Sequence, residues 1–173
     1  MAQEIIPNDL VVQGRIVCSA FSPPAGCIPD AAIPAGANVD PQKLGQEREL
    51  HYAQASGANV VSEGKVIYTA RKAGTVVELD IFPDTAPVGT AGQLGFTVDL
   101  QKSTGGGAFA SLLTAAYQID GTKTSRTQYN GSLSGAPAYA AGDALKIVIT
   151  TNGSGGTQGQ GLGVTLTTRE SGG

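Results

Sequence analysis

His51 is the only histidine of the chain, so any general-base chemistry must use it or a carboxylate. It sits beside Tyr52 in an alternating stretch. A hydrolytic relay would also need an orienting carboxylate and a nucleophile within reach of the ring. Serine and threonine are plentiful, but none stands in a G-x-S-x-G elbow. His51 therefore reads as a satisfied or interfacial histidine. Glu78 and Asp80 lie two apart, which places both on one face of a strand, and Asp84 follows in a loop. Such a pair suits glycoside hydrolysis or Ca²⁺. The competing reading, and the expectation here, is the solvated face of an amphipathic strand. Asp99 faces the same way and would join a weak cation site if its strand paired with theirs.

Other candidates are thinner. Gly105-Gly106-Gly107 and the stretch from Gly153 to Gly161 lack the following helix and the lysine that a phosphate loop requires. They read as hairpin connections. Tyr117, Tyr129, Asn130 and Tyr139 could make a sugar-binding face, but tryptophan is absent and aromatic residues are only 5% of the chain. Cys18 and Cys27 fit either a disulfide around a Pro-containing loop or two separate buried thiols, and a cytoplasmic product favours thiols. Neither further cysteine nor a nearby histidine completes a metal tetrahedron. No catalytic residue, cofactor or metal is expected.

Lys and Arg total 11 against 14 Asp and Glu, a net charge of −3. That balance supplies no attraction to nucleic acid or anionic lipid. Charged residues are 14% of the chain, against roughly 25% in ordinary soluble domains. The surface must then be built from Thr, Ser, Gln, Asn, Gly and Ala, a composition that suits packing against identical copies. No apolar run is long enough to span a bilayer. The start, MAQEIIPND, lacks the basic and apolar regions of a secretory signal, so synthesis in a cytoplasm is expected.

The elements that must position these residues change character near Leu50. Residues 1–49 read as an extended arm. Asp9 to Ser19 can make one or two short strands. Pro23, Pro24, Pro29, Pro34 and Pro41 then exclude a long helix or central strand. Single helical turns fit Asp30 to Ile33 and Asp40 to Leu44, the second with Asp40 as N-cap and Pro41 at the first helical position. Ile28, Ile33, Val39 and Leu44 are too sparse for a core and are spaced like pegs along a strap. Such a segment is either a disordered leader or an arm ordered by a partner.

Residues 50–170 read as about eight strands with turns every 10–15 residues or so, and 171–173 as a tail. In KVIYTAR, Val66, Tyr68 and Ala70 share a face. In TVVELDIF, Val77, Leu79 and Ile81 oppose Val76, Glu78 and Asp80. Pro83 to Gly92 reads as a loop. Leu94, Phe96, Val98 and Leu100 face inward, as do Leu145, Ile147 and Ile149, and Leu162, Val164 and Leu166. Ala108 to Ile119 fits a long strand or a helix, with the strand favoured by its surroundings. Thr124 to Leu133 reads as a polar edge strand. One apolar and one Thr-rich face per strand imply an all-β, antiparallel two-sheet sandwich of jelly-roll type.

The order of features resembles the capsid decoration (cement, or head-stabilising) proteins of tailed bacteriophages that carry a β-sandwich domain. The matching pieces are the arm NDLVVQGRIVCSAFSPPAGCIPDAAIPAGANVDPQKLGQ and the opening ELHYAQASGANVVSEGKVIYTARKAGTVVELD. QLGFTVDLQKSTGGGAFASLL, AAGDALKIVITTN and GLGVTLTTRE follow further on. The resemblance implies a non-enzymatic virion protein on the capsid exterior, made in a bacterial host's cytoplasm. Its partners would be the major capsid protein and itself, as a homotrimer, with no nucleic acid or membrane. The arm would staple neighbouring capsomers through Ile28, Ile33, Val39 and Leu44. The rival expectation is a receptor- or glycan-binding module of a head or tail fibre, with recognition in the loops Pro83 to Gly92 and Gly153 to Gly161.

Overall fold

The computed structural model describes residues 46–89, 94–153 and 157–171. All lie within one unit, Asp40–Gly173. The strand-like stretch and helical turns expected in the arm, the four pegs, and Cys18 and Cys27 fall outside the described residues.

Among the described residues ten strands form, all antiparallel. They are β1 (Gln46–Ala53), β2 (Glu63–Thr69), β3 (Gly74–Thr85), β4 (Gly95–Ser103), β5 (Phe109–Ser111), β6 (Tyr117–Asp120), β7 (Tyr129–Asn130), β8 (Ala138–Tyr139), β9 (Ala144–Asn152) and β10 (Gln160–Glu170). One sheet runs β1-β10-β3-β7, with β8 also on β3. The other runs β2-β9-β4-β5, with β6 also on β4. Each sheet thus has three long strands and a fourth that is broken in two. Joining the broken halves gives eight strands in the orders 1-8-3-6 and 2-7-4-5, the nesting of a jelly roll. Among the described residues strand pairing is present from Gln46 onward and runs through the place where arm and sandwich are expected to meet.

Alternation builds the core. Phe96, Val98 and Leu100 of β4, Leu145, Ile147 and Ile149 of β9, and Leu162, Val164 and Leu166 of β10 are buried, as expected. Leu79 and Ile81 of β3 and Ile119 of β6 join them. Each large aliphatic or aromatic side chain so buried contributes about 1.5–3 kcal/mol. A core with no tryptophan therefore suffices for a sandwich of this size.

Four strand expectations are corrected. In β3 the register shifts opposite Thr167 and Thr168, and Val77 is the extra residue. Val76 is therefore buried and Val77 exposed, the reverse of strict alternation. A second bulge in β2 between Val66 and Tyr68 leaves Tyr68 and Ala70 inside and turns Val66 out, 47% exposed. Ala108 to Ile119 is two short strands on β4, separated where Leu113 bridges to Leu133. Thr124 to Leu133 shrinks to the two residues of β7, because Thr124 to Gln128 fold over the end of β3 instead. Pro83, expected in a loop, lies in β3, beyond the last β7 pair, where β3 has a sheet neighbour on one side only.

The two open sides of the sandwich are closed differently. On the broken-strand side the backbone does it: Thr114 N donates to Ser132 O at 2.9 Å and Ser134 N to Leu112 O at 2.8 Å. On the β1/β2 side, side chains do it. Tyr52 Oη donates to Glu63 at 2.7 Å and Tyr68 Oη to Glu170 at 2.5 Å. The Gln54 amide makes two bonds to the backbone of Val61, at 2.9 and 3.0 Å.

Candidate functional site

Strand directions gather four connections at one end: 54–62, 86–94, 121–128 and 153–159. The turns 70–73, 104–108 and 140–143 lie at the other end, where the chain enters β1 at Gln46 opposite Glu170. The first set, here the loop end, is where polar side chains converge.

Backbone contacts knit its loops. Val88 N donates to Thr157 O at 3.0 Å and Val60 N to Gly159 O at 2.7 Å. These bring together the two loops expected to carry recognition in the fibre reading. Gly121 lies so close to Gly89 that a side chain there would overlap the Gly89 carbonyl. Val88 stands out from this assembly, 66% exposed.

A clamp joins three of the segments. Asp84, at the end of β3, accepts from Ser56 Oγ at 2.8 Å and from Arg126 Nε at 3.3 Å. The Ser56 hydroxyl and then the Arg126 guanidinium hold the Asp84 carboxyl below its ordinary range. Arg126 has φ of 58°, a left-handed conformation costly for a residue with a Cβ. Its amide donates to Pro83 O at 2.8 Å, and Ala86 N donates to Ser125 Oγ at 2.9 Å, so the loop is tied down on both sides of the strained residue. Beside it, Lys123 Nζ lies 5.2 and 5.4 Å from the ring centres of Tyr117 and Tyr129, which are themselves 6.1 Å apart. That geometry fits cation–π attraction across the two sheets.

Three side-chain amides, of Gln118, Asn152 and Gln158, meet at this end. Asn152 Nδ2 donates to Gln118 Oε1 at 3.2 Å and Gln158 Nε2 to the Asn152 carbonyl at 3.3 Å. Asn152 Oδ1 and Gln158 Oε1 are buried and have no hydrogen-bond partner. A buried acceptor left unpaired costs about 1–3 kcal/mol.

The residues singled out from sequence are distributed as follows. His51, Thr165, Asp80 and Asn130 form one row across the outer face of the first sheet. His51 Nδ1 lies 3.0 Å from Thr165 Oγ1, and Nε2 lies 3.7 Å from exposed Glu49. Both ring nitrogens of His51 thus have a polar neighbour on an exposed strand face. Glu78 and Asp80 do share a face, and Asn130 Nδ2 donates to both, at 2.5 and 2.7 Å. Asp99 does not join them, because β3 and β4 belong to opposite sheets. It accepts instead from Ser111 Oγ at 2.6 Å and Gln101 Nε2 at 2.9 Å. Tyr139 leaves the proposed sugar face as well. It is buried against Tyr68, with ring centres 5.9 Å apart. Among the described residues no three His, Cys, Asp or Glu side chains group as metal ligands.

Sequence reading missed the Ser56–Asp84–Arg126 clamp, Lys123 and the amide trio. All stand at strand ends or in loops, where no periodicity marks them. The usable signal is weak: polar residues next to glycines on both flanks of apolar strands.

No protein-family model matches the chain, and neither does any curated sequence. Among solved structures, a chain of the cyanophage Pam1 capsid asymmetric unit is similar in fold, with TM-score 0.50 and 11% identity. The match covers 95% of this chain and 99% of that one. A chain in the structure of the infectious bursal disease virus Gt strain aligns at TM-score 0.29 and 13% identity, over 73% of this chain and 38% of that one.

Proposed function

We propose that this chain is a structural virion protein that binds the outer surface of a phage capsid and cements neighbouring capsomers. The observation that carries the reading is the fold likeness to a chain of a cyanophage capsid, which extends over nearly the whole of both chains. The low charge of the chain, 14% of its residues, supports it, since weakly charged surfaces suit packing among many copies. So does the arm read in residues 1–49, whose pegs Ile28, Ile33, Val39 and Leu44 would fill gaps between capsid subunits. Repetition over a symmetric shell turns modest single contacts into firm attachment. The protein would act as a homotrimer, with the major capsid protein as partner and no chemistry of its own.

Removing residues 1–45, up to the start of β1, should leave a folded protein that no longer decorates heads lacking it, scored by electron cryomicroscopy of heads mixed with each form. Decoration by the shortened protein would refute the role of the arm. Heads bare in both cases, with density only at the tail, would refute the cement reading. Native mass spectrometry of the full chain tests the trimer.

A second reading, a receptor- or glycan-binding module, is favoured by one observation. The loops Pro83 to Gly92 and Gly153 to Gly161 are joined through Val88 and Thr157 at one end. A glycan array probed with the full chain tests it, and a hit that survives Val88→Ser would count against those loops.

A further inference from the structure

Among the described residues Arg126 is the one non-glycine with a positive φ, 58°. Glycine takes up that conformation freely, and arginine does so only under strain. What the fold gains from an arginine there is small. Nε donates to Asp84 Oδ1 at 3.3 Å, but the side chain is 77% exposed. A pair so exposed stabilises less than left-handed strain costs. The ties that impose the conformation do not use the side chain. Arg126 N donates to Pro83 O at 2.8 Å, and Ser125 Oγ takes the Ala86 amide at 2.9 Å. Glycine at 126 would be held as well. Strain that nothing inside the fold offsets marks a residue kept for an outside contact.

The guanidinium is positioned for such a contact. Asp84 engages it at Nε, and Ser56 Oγ, 2.8 Å from Asp84 Oδ2, steadies that carboxylate. Among the described residues the two terminal nitrogens have no hydrogen-bond partner. They form the fork that a carboxylate or phosphate fits through two oxygens. The connection around it suits a hydrophilic anion. GTKTSRTQ, residues 121–128, holds two cations and four hydroxyl side chains, with no acid and no apolar side chain. Lys123 is within about 11 Å of Arg126 along the chain, roughly one Debye length at about 0.1 M salt. Its charge therefore adds to the attraction without touching the same group. Its ammonium is held over the Tyr117 and Tyr129 rings, at 5.2 and 5.4 Å, and not in an ion pair. Of the nearby acids, Asp84 is engaged by Ser56 and Arg126, and buried Asp120 accepts from the Thr122 amide at 2.9 Å. A protein partner would want an apolar anchor, which this connection lacks.

We propose that Arg126, supported by Lys123, binds an acidic saccharide through its carboxylate or phosphate group. The inference rests on the second reading above, the glycan-binding module, and gives it a ligand class and a contact residue. It does not depend on the capsid reading. Arg126 is bonded to Pro83 and Asp84, the start of one of the loops named there, and so adds the 121–128 connection to them.

The test is a glycan array probed with the full chain, with uronic and sialic carboxylates, phosphorylated members and the neutral counterpart of each. Acidic members should bind and neutral ones should not, and the acidic set that binds tells carboxylate from phosphate. On the unaltered chain, affinity for the best acidic member should fall at least about threefold between about 50 and about 500 mM NaCl. Arg126→Gly should lose about tenfold or more in affinity, yet melt no lower than the unaltered chain. Arg126→Lys, which keeps the charge without the fork, should bind at an intermediate level. Binding kept by Arg126→Gly, or acidic and neutral members bound alike, would overturn the proposal and leave the glycan reading to other loops. An array with no hit would overturn both. Melting several degrees lower in Arg126→Gly would make the arginine a structural clamp, which also overturns the proposal.

Discussion

The two ends of this sandwich are finished to different degrees. At the end where the chain enters β1, a buried carboxylate is fully used. Asp143 accepts from the Ala140 amide at 2.9 Å and the Gly105 amide at 3.3 Å, with Lys102 Nζ 3.8 Å away. Its own carbonyl takes the Ala70 amide at 2.8 Å, so one residue ties together three turns. At the loop end, by contrast, Arg126 is held in a strained conformation and Val88 is exposed; buried polar atoms without a hydrogen-bond partner occur at both ends, the Asn152 and Gln158 oxygens here and Tyr139 Oη beside the turns of the other. Backbone strain and exposed apolar surface thus collect at the loop end, and the fully bonded carboxylate at the other.

The largest expected effect breaks the comparison at a glycine from each end. Gly95→Ala at the loop end must adopt φ of 148° and place a Cβ onto the Ile119 carbonyl. Strain of about 1–3 kcal/mol and a similar overpacking cost add there. Gly105→Ala at the other end, with φ of 56° and open space around it, should lose only about 1–2 kcal/mol. Urea unfolding of both variants measures the difference, and equal losses would show the two ends to be equally constrained.

Acid should act next. The Asp143 carboxyl lies below its ordinary range because the Ala140 amide bonds it, and Asp84 does so because of Ser56. A carboxyl depressed in the folded state stabilises above its unfolded value, about 3.9, and that contribution is lost as pH falls through the folded value. Melting temperatures should therefore drop below about pH 4. Asp143→Asn should flatten this limb more than Asp84→Asn, because exposed Arg126 adds little to Asp84.

Alkali probes the clasps between the sheets, one toward each end. Burial, then the bond to Glu63, pushes Tyr52 up to about 12, and burial with Glu170 does the same for Tyr68. Phenols raised in the folded state stabilise below their unfolded value of 10.0, and this is lost as pH rises through about 12. Absorbance at the phenolate band should lag behind free tyrosine, and Tyr68→Phe should remove part of that lag. The smallest effect belongs to the exposed Glu47–Arg169 pair. A double-mutant cycle there should give no more than about 0.5 kcal/mol.

The sandwich and most of its core are legible in the sequence because burial in a half-wet strand imposes a period of two. The inward residues of β4, β9 and β10 follow from that rule alone. It fails where a bulge adds a residue. Nothing local to Val76 and Val77 tells that β10 presents one residue, Thr167, where β3 needs two.

The candidate site shows the same division more sharply. Composition and spacing alone establish an all-β chain with no nucleophile elbow and no phosphate loop, and they pair Glu78 with Asp80. Only the fold decides that Asp99 belongs to the other sheet, that Asn130 bridges the acidic pair, and that Tyr139 is buried. It alone sets Gln118, Asn152 and Gln158 side by side. The reason is physical. Periodicity records which side of its own strand a residue faces, a local property of the backbone. Partners are chosen by sheet order and by the crossing of nearly every connection between the two sheets, and those depend on contacts between residues far apart in the chain.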